Sequence, residues 1–389
     1  MSVTEPKGFR AAGVAAGLKS TGARDVAVVV NDGPHRHAAA VFTSNRVAAA
    51  PVHWSRQVVS DGRVDAVVLN SGGANACTGP QGFQNTHQTA EFAAEALGVS
   101  ATDVFVCSTG LIGEQLPMDK LLPGVRRAVD LLSDGGGRAA AEAIMTTDSV
   151  SKTASYPATQ DDASEGYTIG GMAKGAGMLA PGLATMLVVL TTDAVLDPAV
   201  LDTALRAATR VTFDRADSDG CMSTNDTVVL LASGASGVRP DPVQFAEALT
   251  GVCSSLAHQL IEDAEGASHT IAIRTFNAAT EDDAEMVGRA VARSNLFKAA
   301  IFGADPNWGR VLAAVGTTSA AFEPDRLDVA MNGVQICRDG GIGEPRELVD
   351  LTGRLVTVEI NLNAGSESAT IWTNDLTHDY VHENSAYSS

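Results

Sequence analysis

Short unbroken apolar runs alternate with Ala-rich stretches along most of the chain. "DVAVVVND" (Asp25 to Asp32) and "AAAVFTS" (Ala38 to Ser44) read as two strands joined by a loop around Gly33 and Pro34. "DAVVLNSGGANACTG" (Asp65 to Gly79) is a buried strand entering a Gly-rich loop, and "DVFVCSTGLIG" (Asp103 to Gly113) is a strand ending in a loop of small residues. Between them, "HQTAEFAAEALGV" has helical spacing and reaches Gly98, a residue able to close a helix in the left-handed conformation. "GRAAAEAIMTTD" is a helix that stops at Thr146 and Thr147.

Further on, "TMLVVLTT" (Thr185 to Thr192) is the most apolar strand, entered through "APGLA" (Ala180 to Ala184). "DPAVLDTALRAATRVTF" and "DPVQFAEALTGVCSSLAHQLIEDAEG" predict helices capped by Asp197 and Asp241, with Pro198 and Pro242 in the first turn. "NDTVVLLAS" is a strand, "SHTIAIRTF" alternates with period two, and "EDDAEMVGRAVARSN" is a helix. "RLDVAMN", "RLVTVEINL" and "SATIWTND" add strands in the C-terminal third. Several successive strands have no helix between them. The pattern predicts an α+β protein, a mixed or antiparallel layered sandwich rather than a doubly wound parallel sheet.

Charge narrows the partners. The chain carries 27 Lys+Arg against 46 Asp+Glu, a formal net charge of −19. Nucleic acid and anionic membrane are polyanions that such a surface repels. Five cysteines at wide spacing, with no CxxC, argue against a disulfide framework and a structural zinc site; buried, reduced thiols are expected. No metal site is expected. The opening "MSVTEPKGFRAAG" has no apolar core of a signal peptide. No apolar run approaches the roughly 18 residues of a membrane span, and the longest, Met178 to Leu190, is interrupted by Pro181 and Gly182.

Familiar catalytic and phosphate motifs are missing. "GGMAKGAGM" and "SGGANACTG" are Gly-rich but fit neither GxxxxGK[ST] nor a strand–GxGxxG–helix. Their glycines suit positive φ or close backbone approach. The histidines form no HExxH, there is no GxSxG, and His35 and His37 are expected at the surface. Thr185 stands out by its setting. An arbitrary Thr at a strand start needs no role beyond β-propensity. Here a loop of Pro, Gly and small residues, able to hold a strained peptide, meets a rigid apolar strand. If the Ala184–Thr185 bond opened, Thr185 would carry a hydroxyl and a free α-amine. That amine titrates near pH 7.7–8.0, roughly at working pH, and is able to serve as base for its own hydroxyl.

"MAKGAGMLAPGLATMLVVLTTDA" resembles the self-processing segment of the ornithine acetyltransferases, also called glutamate N-acetyltransferases. The resemblance extends over essentially the whole chain, through "EPKGFRAAGVAAGLK", "AAVFTSNRVAAAPV", "LNSGGANACTG", "CSTGLIGEQLPM", "AIMTTD", "STNDTVVLLASG", "DAEGA", "FGADPNWGRVLAAVG" and "YVHENSAYSS". It implies a layered αββα-type sandwich with a smaller C-terminal α/β portion. It also implies a cytoplasmic enzyme of arginine biosynthesis that cleaves itself into an α chain (1–184) and a β chain (185–389), which stay associated as a dimer of heterodimers. By the same resemblance Thr185 is the nucleophile, Ala184–Thr185 the cleaved bond, and Thr109 and Gly110 the oxyanion hole. Substrate contacts fall on Thr147, Lys174, Thr185, Glu265, Asn384 and Ser389.

The reaction implied is transfer of acetyl from N-acetylornithine to Thr185 and then to glutamate, with no cofactor. On charge, Lys174 is assigned to the substrate α-carboxylate and Glu265 to the cationic side chain. Without the resemblance, Lys174 and Glu265 read as a solvated surface pair. Three positions differ from the family's usual residues: Gly182 stands for Asn or Ser, and Ser268 and His269 for Thr and Lys; Ser389 stands where Thr can stand and keeps the hydroxyl. Alternatives are direct use of acetyl-CoA as co-substrate, and an amidohydrolase or aminopeptidase with the same kind of nucleophile.

Overall fold

The computed structural model describes residues 2–159, 166–180 and 186–386. In chain order its first strands are β1 (Phe9–Val14), β2 (Val26–Asn31), β3 (His37–Phe42), β4 (Ala66–Asn70) and β5 (Val104–Ser108). They are followed by β6 (Lys152–Thr159), β7 (Gly166–Lys174), β8 (Leu187–Thr192) and β9 (Thr227–Ala232). The last group is β10 (Thr270–Ala278), β11 (Asp328–Met331), β12 (Val334–Arg338), β13 (Gly341–Ile342), β14 (Leu355–Asn361) and β15 (Glu367–Asn374). The helices are α1 (Ala50–Val58), α2 (Gly79–Leu97), α3 (Met118–Asp130), α4 (Gly137–Ala143) and α5 (Pro198–Val211). Then come α6 (Pro242–Glu262), α7 (Glu281–Ala292), α8 (Asn295–Phe302), α9 (Trp308–Val315) and α10 (His378–Ala386).

The strands form three sheets, ordered β1-β2-β4-β5, β3-β9-β8-β7-β6 and β13-β12-β11-β14-β10-β15. Neighbours are antiparallel except β4–β5, β8–β9 and β10–β14, so each sheet is mixed, as the strand succession predicts. The first two sheets stack. Val28 and Val67 of the first sheet share one apolar core with Leu187, Val189 and Val229 of the second, and with residues of α1, α3 and α4. The second sheet's other face buries Val188 and Leu230 against α5 and α6. The result is the αββα sandwich. The third sheet packs on α7, α8 and α9 around its own core, the C-terminal α/β portion.

Sequence pattern follows burial. All six residues of β2 are buried and its sequence "VAVVVN" has no alternation, as a strand covered on both faces requires. By contrast β14, "LVTVEIN", alternates because one face is open. Gly98 closes α2 at φ 72°. That helix begins at Gly79, inside the stretch expected to be loop, with Pro80 in its first turn.

Some expectations change. The adjacent strands β2 and β3 lie in different sheets, and the Gly33–Pro34 loop carries the chain between layers. Asp241 caps α6, accepting from the Val243 and Gln244 N–H groups, but the Asp197 side chain makes no cap and pairs with Arg239 at 3.3 Å. His35 and His37 are half-buried, because the His37 ring reaches the Leu196 carbonyl at 2.7 Å. Of the cysteines, Cys107, Cys253 and Cys337 are buried while Cys77 and Cys221 are exposed. Among the described residues no helix is long and apolar enough to cross a membrane.

Candidate active site

The C-terminal ends of β4 and β5 lie side by side, because the strands are parallel and pair Asn70 with Ser108. Their following loops are the two small-residue stretches of the sequence. The Gly73 N–H donates to the Thr109 carbonyl at 3.0 Å and links them. Gly110 has φ 130°, and a Cβ there would stand 2.7 Å from the Gly73 nitrogen, so glycine is what lets the loops touch. The Thr109 N–H donates to the Asn70 carbonyl at 2.9 Å, so the hydroxyl is the donor that Thr109 retains. Asn225, just before β9, ties the second sheet to this platform: its Nδ2 donates to the Ala74 carbonyl at 2.6 Å and the Ser108 carbonyl at 2.8 Å.

A cavity of about 360 Å³ opens over these loops. Lys174, the last residue of β7, lines it and is 1% exposed, so the surface-pair reading fails. Its Nζ donates to Thr109 Oγ1 at 3.4 Å and stands 3.9 Å from Asp148 Oδ2. Asp148 is the hub beneath. It accepts from the Gly175 N–H at 2.6 Å, the Thr146 N–H at 2.9 Å and Lys152 Nζ at 2.6 Å, and Lys152 also reaches Asp263 at 2.5 Å. Burial alone would raise the Asp148 carboxyl, but Lys174, Lys152 and the Gly175 N–H hold it at about 2. Burial pushes the Lys174 ammonium down, and Asp148 opposes the shift.

The register puts this cation near the start of β8. Lys174 pairs with Leu187, two residues beyond Thr185 in the chain. Asp226, fully buried, accepts from the Met186 N–H at 3.1 Å. Burial pushes its carboxyl well above the ordinary Asp range, and the Met186 N–H, Ser223 and Lys174 oppose this in part. Thr185 itself, with Gly182, Ala184 and Ser389, lies outside the described residues.

The far wall is acidic. Glu265 follows α6; its N–H donates to the Ala176 carbonyl at 2.9 Å, and its carboxylate accepts from Asn384 Nδ2 at 2.9 Å. Gly177 leaves room for that carboxylate, since a Cβ there would lie 2.5 Å from Glu265 Oε2. Asn384 comes from α10, which crosses close over Gly266, where a Cβ would meet the Tyr380 nitrogen at 2.3 Å. Thr147 lines the same cavity. The predicted residues Thr109, Gly110, Thr147, Lys174, Glu265 and Asn384 therefore converge. His269 does not reach the site: it pairs with Asp375 at 2.9 Å and with the Leu351 carbonyl at 3.1 Å. A separate open groove of about 600 Å³ between β3, α1 and α5 holds none of the predicted residues.

Sequence reasoning missed Asp219 and Tyr380, which line the cavity, and Asp148 below it. The polar run "STND" ahead of an apolar strand marks Asn225 and Asp226. The acid-rich "DRADSDG" is the one sequence signal for Asp219.

The ArgJ family profile matches residues 10–389. The arginine biosynthesis bifunctional protein ArgJ of Streptomyces coelicolor is 67% identical over 389 residues, covering 100% of both chains. The protein of the same name from Mycolicibacterium paratuberculosis is 55% identical over 398 residues, covering 100% of this chain and 96% of the other. Among solved structures, ornithine acetyltransferase complexed with ornithine from Mycobacterium tuberculosis is 56% identical, with a TM-score of 0.44, over 48% of this chain and 96% of that one.

Proposed function

The chain belongs to the ArgJ family, and on that footing we propose that it is an acyltransferase carrying acetyl from N-acetylornithine to glutamate through an ester on Thr185. The Ala184–Thr185 bond opens first, giving chains 1–184 and 185–389. The freed α-amine takes the proton of the Thr185 hydroxyl as its oxygen attacks the acetyl carbonyl. The Thr109 hydroxyl and the Gly110 N–H meet the developing oxyanion. Lys174 donating to Thr109 Oγ1 strengthens that hydroxyl as a donor.

Collapse of the tetrahedral species breaks the C–N bond as the Thr185 ammonium hands its proton to the departing nitrogen, and releases ornithine. The glutamate α-amine then attacks the ester, forming N-acetylglutamate and restoring the hydroxyl. Lys174 and Thr147 hold the α-carboxylate common to both substrates. Glu265, held by Asn384, faces the side chain. Ser389 is the remaining substrate contact that the family resemblance implies.

One observation carries this reading: Lys174, Thr109, Gly110 and Glu265 share a single cavity, and β-pairing sets Lys174 opposite Leu187. Its test is intact mass spectrometry before and after incubation with N-acetylornithine. Two fragments, the second beginning at Thr185 and gaining one acetyl group, are expected. A single chain of 40.0 kDa that persists unacetylated overturns it. The relatives' name, bifunctional, supports a second activity, and acetyl-CoA is the donor we propose for it. N-acetylglutamate made from acetyl-CoA and glutamate alone checks that.

A further inference from the structure

The two substrates of this reaction end in opposite charges. N-acetylornithine carries a terminal ammonium, and glutamate a terminal carboxylate. Both pass through one cavity, and its far wall holds two carboxylates, Glu265 and Asp219. A pair of fixed anions would welcome the first substrate and repel the second.

Asp219 is built differently from its neighbours. Its Oδ2 accepts from the Met178 N–H at 2.7 Å and its Oδ1 from the Cys221 N–H at 3.0 Å. Behind it a small cavity of about 60 Å³ is lined by Asp219, Glu265, Tyr380 and Lys298. Lys298 is 5% exposed, and its Nζ donates to the Ser218 carbonyl. Asp217 and Asp375, also near Lys298, have partners of their own: Asp217 pairs with Arg293 at 2.8 Å and Asp375 with His269 at 2.9 Å. Asp219 and Glu265 thus line both the substrate cavity and the small cavity that Lys298 also lines.

We propose that Asp219 is the charge-reading specificity residue of the site, ionised opposite a terminal ammonium and protonated opposite a terminal carboxylate. The proposal rests on the acetyltransferase reading, since only there must one cavity accept both ends. When Asp219 is ionised, Lys298 cancels it, and Glu265 is left to hold a cation. When Asp219 takes a proton from solvent, Lys298 cancels Glu265 instead, and the wall no longer repels an anion. The proton returns to solvent when the anionic ligand leaves.

The surroundings favour such a switch. Burial and Glu265 push the Asp219 carboxyl upward, while the Cys221 and Met178 N–H groups and Lys298 hold it back. Tyr380 and Cys221 are the other titratable groups facing it, and burial pushes both upward. Glu383 sits on the same acidic side, raised by burial and by Glu265.

N-acetylglutamate is the probe, because its two carboxylates keep their charge between pH 6 and 9, by the ordinary carboxylate values of about 4. Its inhibition constant against N-acetylornithine is measured across that range in the cleaved enzyme and in Asp219→Asn. In the parent the constant rises with pH, by at most about tenfold per unit for one proton taken up. In the folded Asp219→Asn enzyme the rise is smaller by the share Asp219 supplies, leaving that of the Thr185 α-amine, and KM for N-acetylornithine rises by about tenfold through loss of an anion. A flat constant in the parent overturns the proposal without any variant. So does a variant that keeps both the parent's KM and its pH trend. A parent that moves no acetyl group from N-acetylornithine to glutamate removes the acetyltransferase reading, and the proposal with it.

Discussion

Asp226 is a buried carboxylic acid whose Oδ1 accepts from the Met186 N–H. Its folded-state pKa lies well above the ordinary value of 3.8. A group of this sign binds its proton more tightly in the folded state. Its contribution to stability is complete below the ordinary Asp value and is lost as pH rises through the raised one. Asparagine keeps the acceptor oxygen and stays neutral throughout. The melting temperature of Asp226→Asn relative to the parent is therefore expected to rise between pH 5 and pH 8, by roughly 2–4 °C. Melting curves at the two pH values check this, and a constant gap between variant and parent would refute it. Asp148 shows the opposite sign. Lys152 and Lys174 hold its carboxyl low, at about 2, so its contribution is present above the ordinary Asp value and is lost only in strong acid.

At the scale of elements, α5 and α6 open on the same Asp-Pro signal and are built differently. Asp241 accepts from the Val243 N–H at 2.9 Å and the Gln244 N–H at 3.1 Å, answering two of the orphan donors of α6. Asp197 makes no cap and meets Arg239 in solvent, where an ion pair is worth little. Asp241→Ala is expected to cost about 1 kcal/mol and Asp197→Ala much less, in urea unfolding of otherwise identical proteins. Equal losses would contradict the assignment. The pair also shows what was legible. "DP" announces a helix start in both places, but whether the carboxylate turns back on the helix depends on what lies nearby, and Arg239 is 42 residues from Asp197. Strand positions were likewise readable from apolar runs, whereas sheet membership was not. The runs that become β2 and β3 look alike and are adjacent, yet they enter different layers, because pairing partners such as β9 come from far along the chain.

At the scale of the molecule, the site divides in the same way. Thr109 and Gly110 announce themselves by the small-residue loop after an apolar strand. Asp148 and Tyr380 are ordinary in sequence and Asp219 is marked only by an acid-rich run; they matter because the fold brings Asp219 and Tyr380 to the cavity wall and Asp148 beneath it. The same interleaving bears on what self-cleavage does. In the second sheet β8 and β9 belong to the proposed second fragment, and β3, β6 and β7 to the first. Pairing of β8 with β7, and of β9 with β3, makes two seams of the sheet run between fragments. The core between the stacked sheets joins them again, through Val28 and Val67 on one side and Val189 and Val229 on the other. Separating the fragments would expose that core and unpair two strand edges, which is unfolding rather than dissociation. The cleaved protein is therefore expected to elute as one species in size-exclusion chromatography at any dilution in native buffer. It should part into two chains only across the urea range in which its helical circular dichroism is lost. Fragments that separate while that signal persists would show that the seam at β8 is weaker than its register implies.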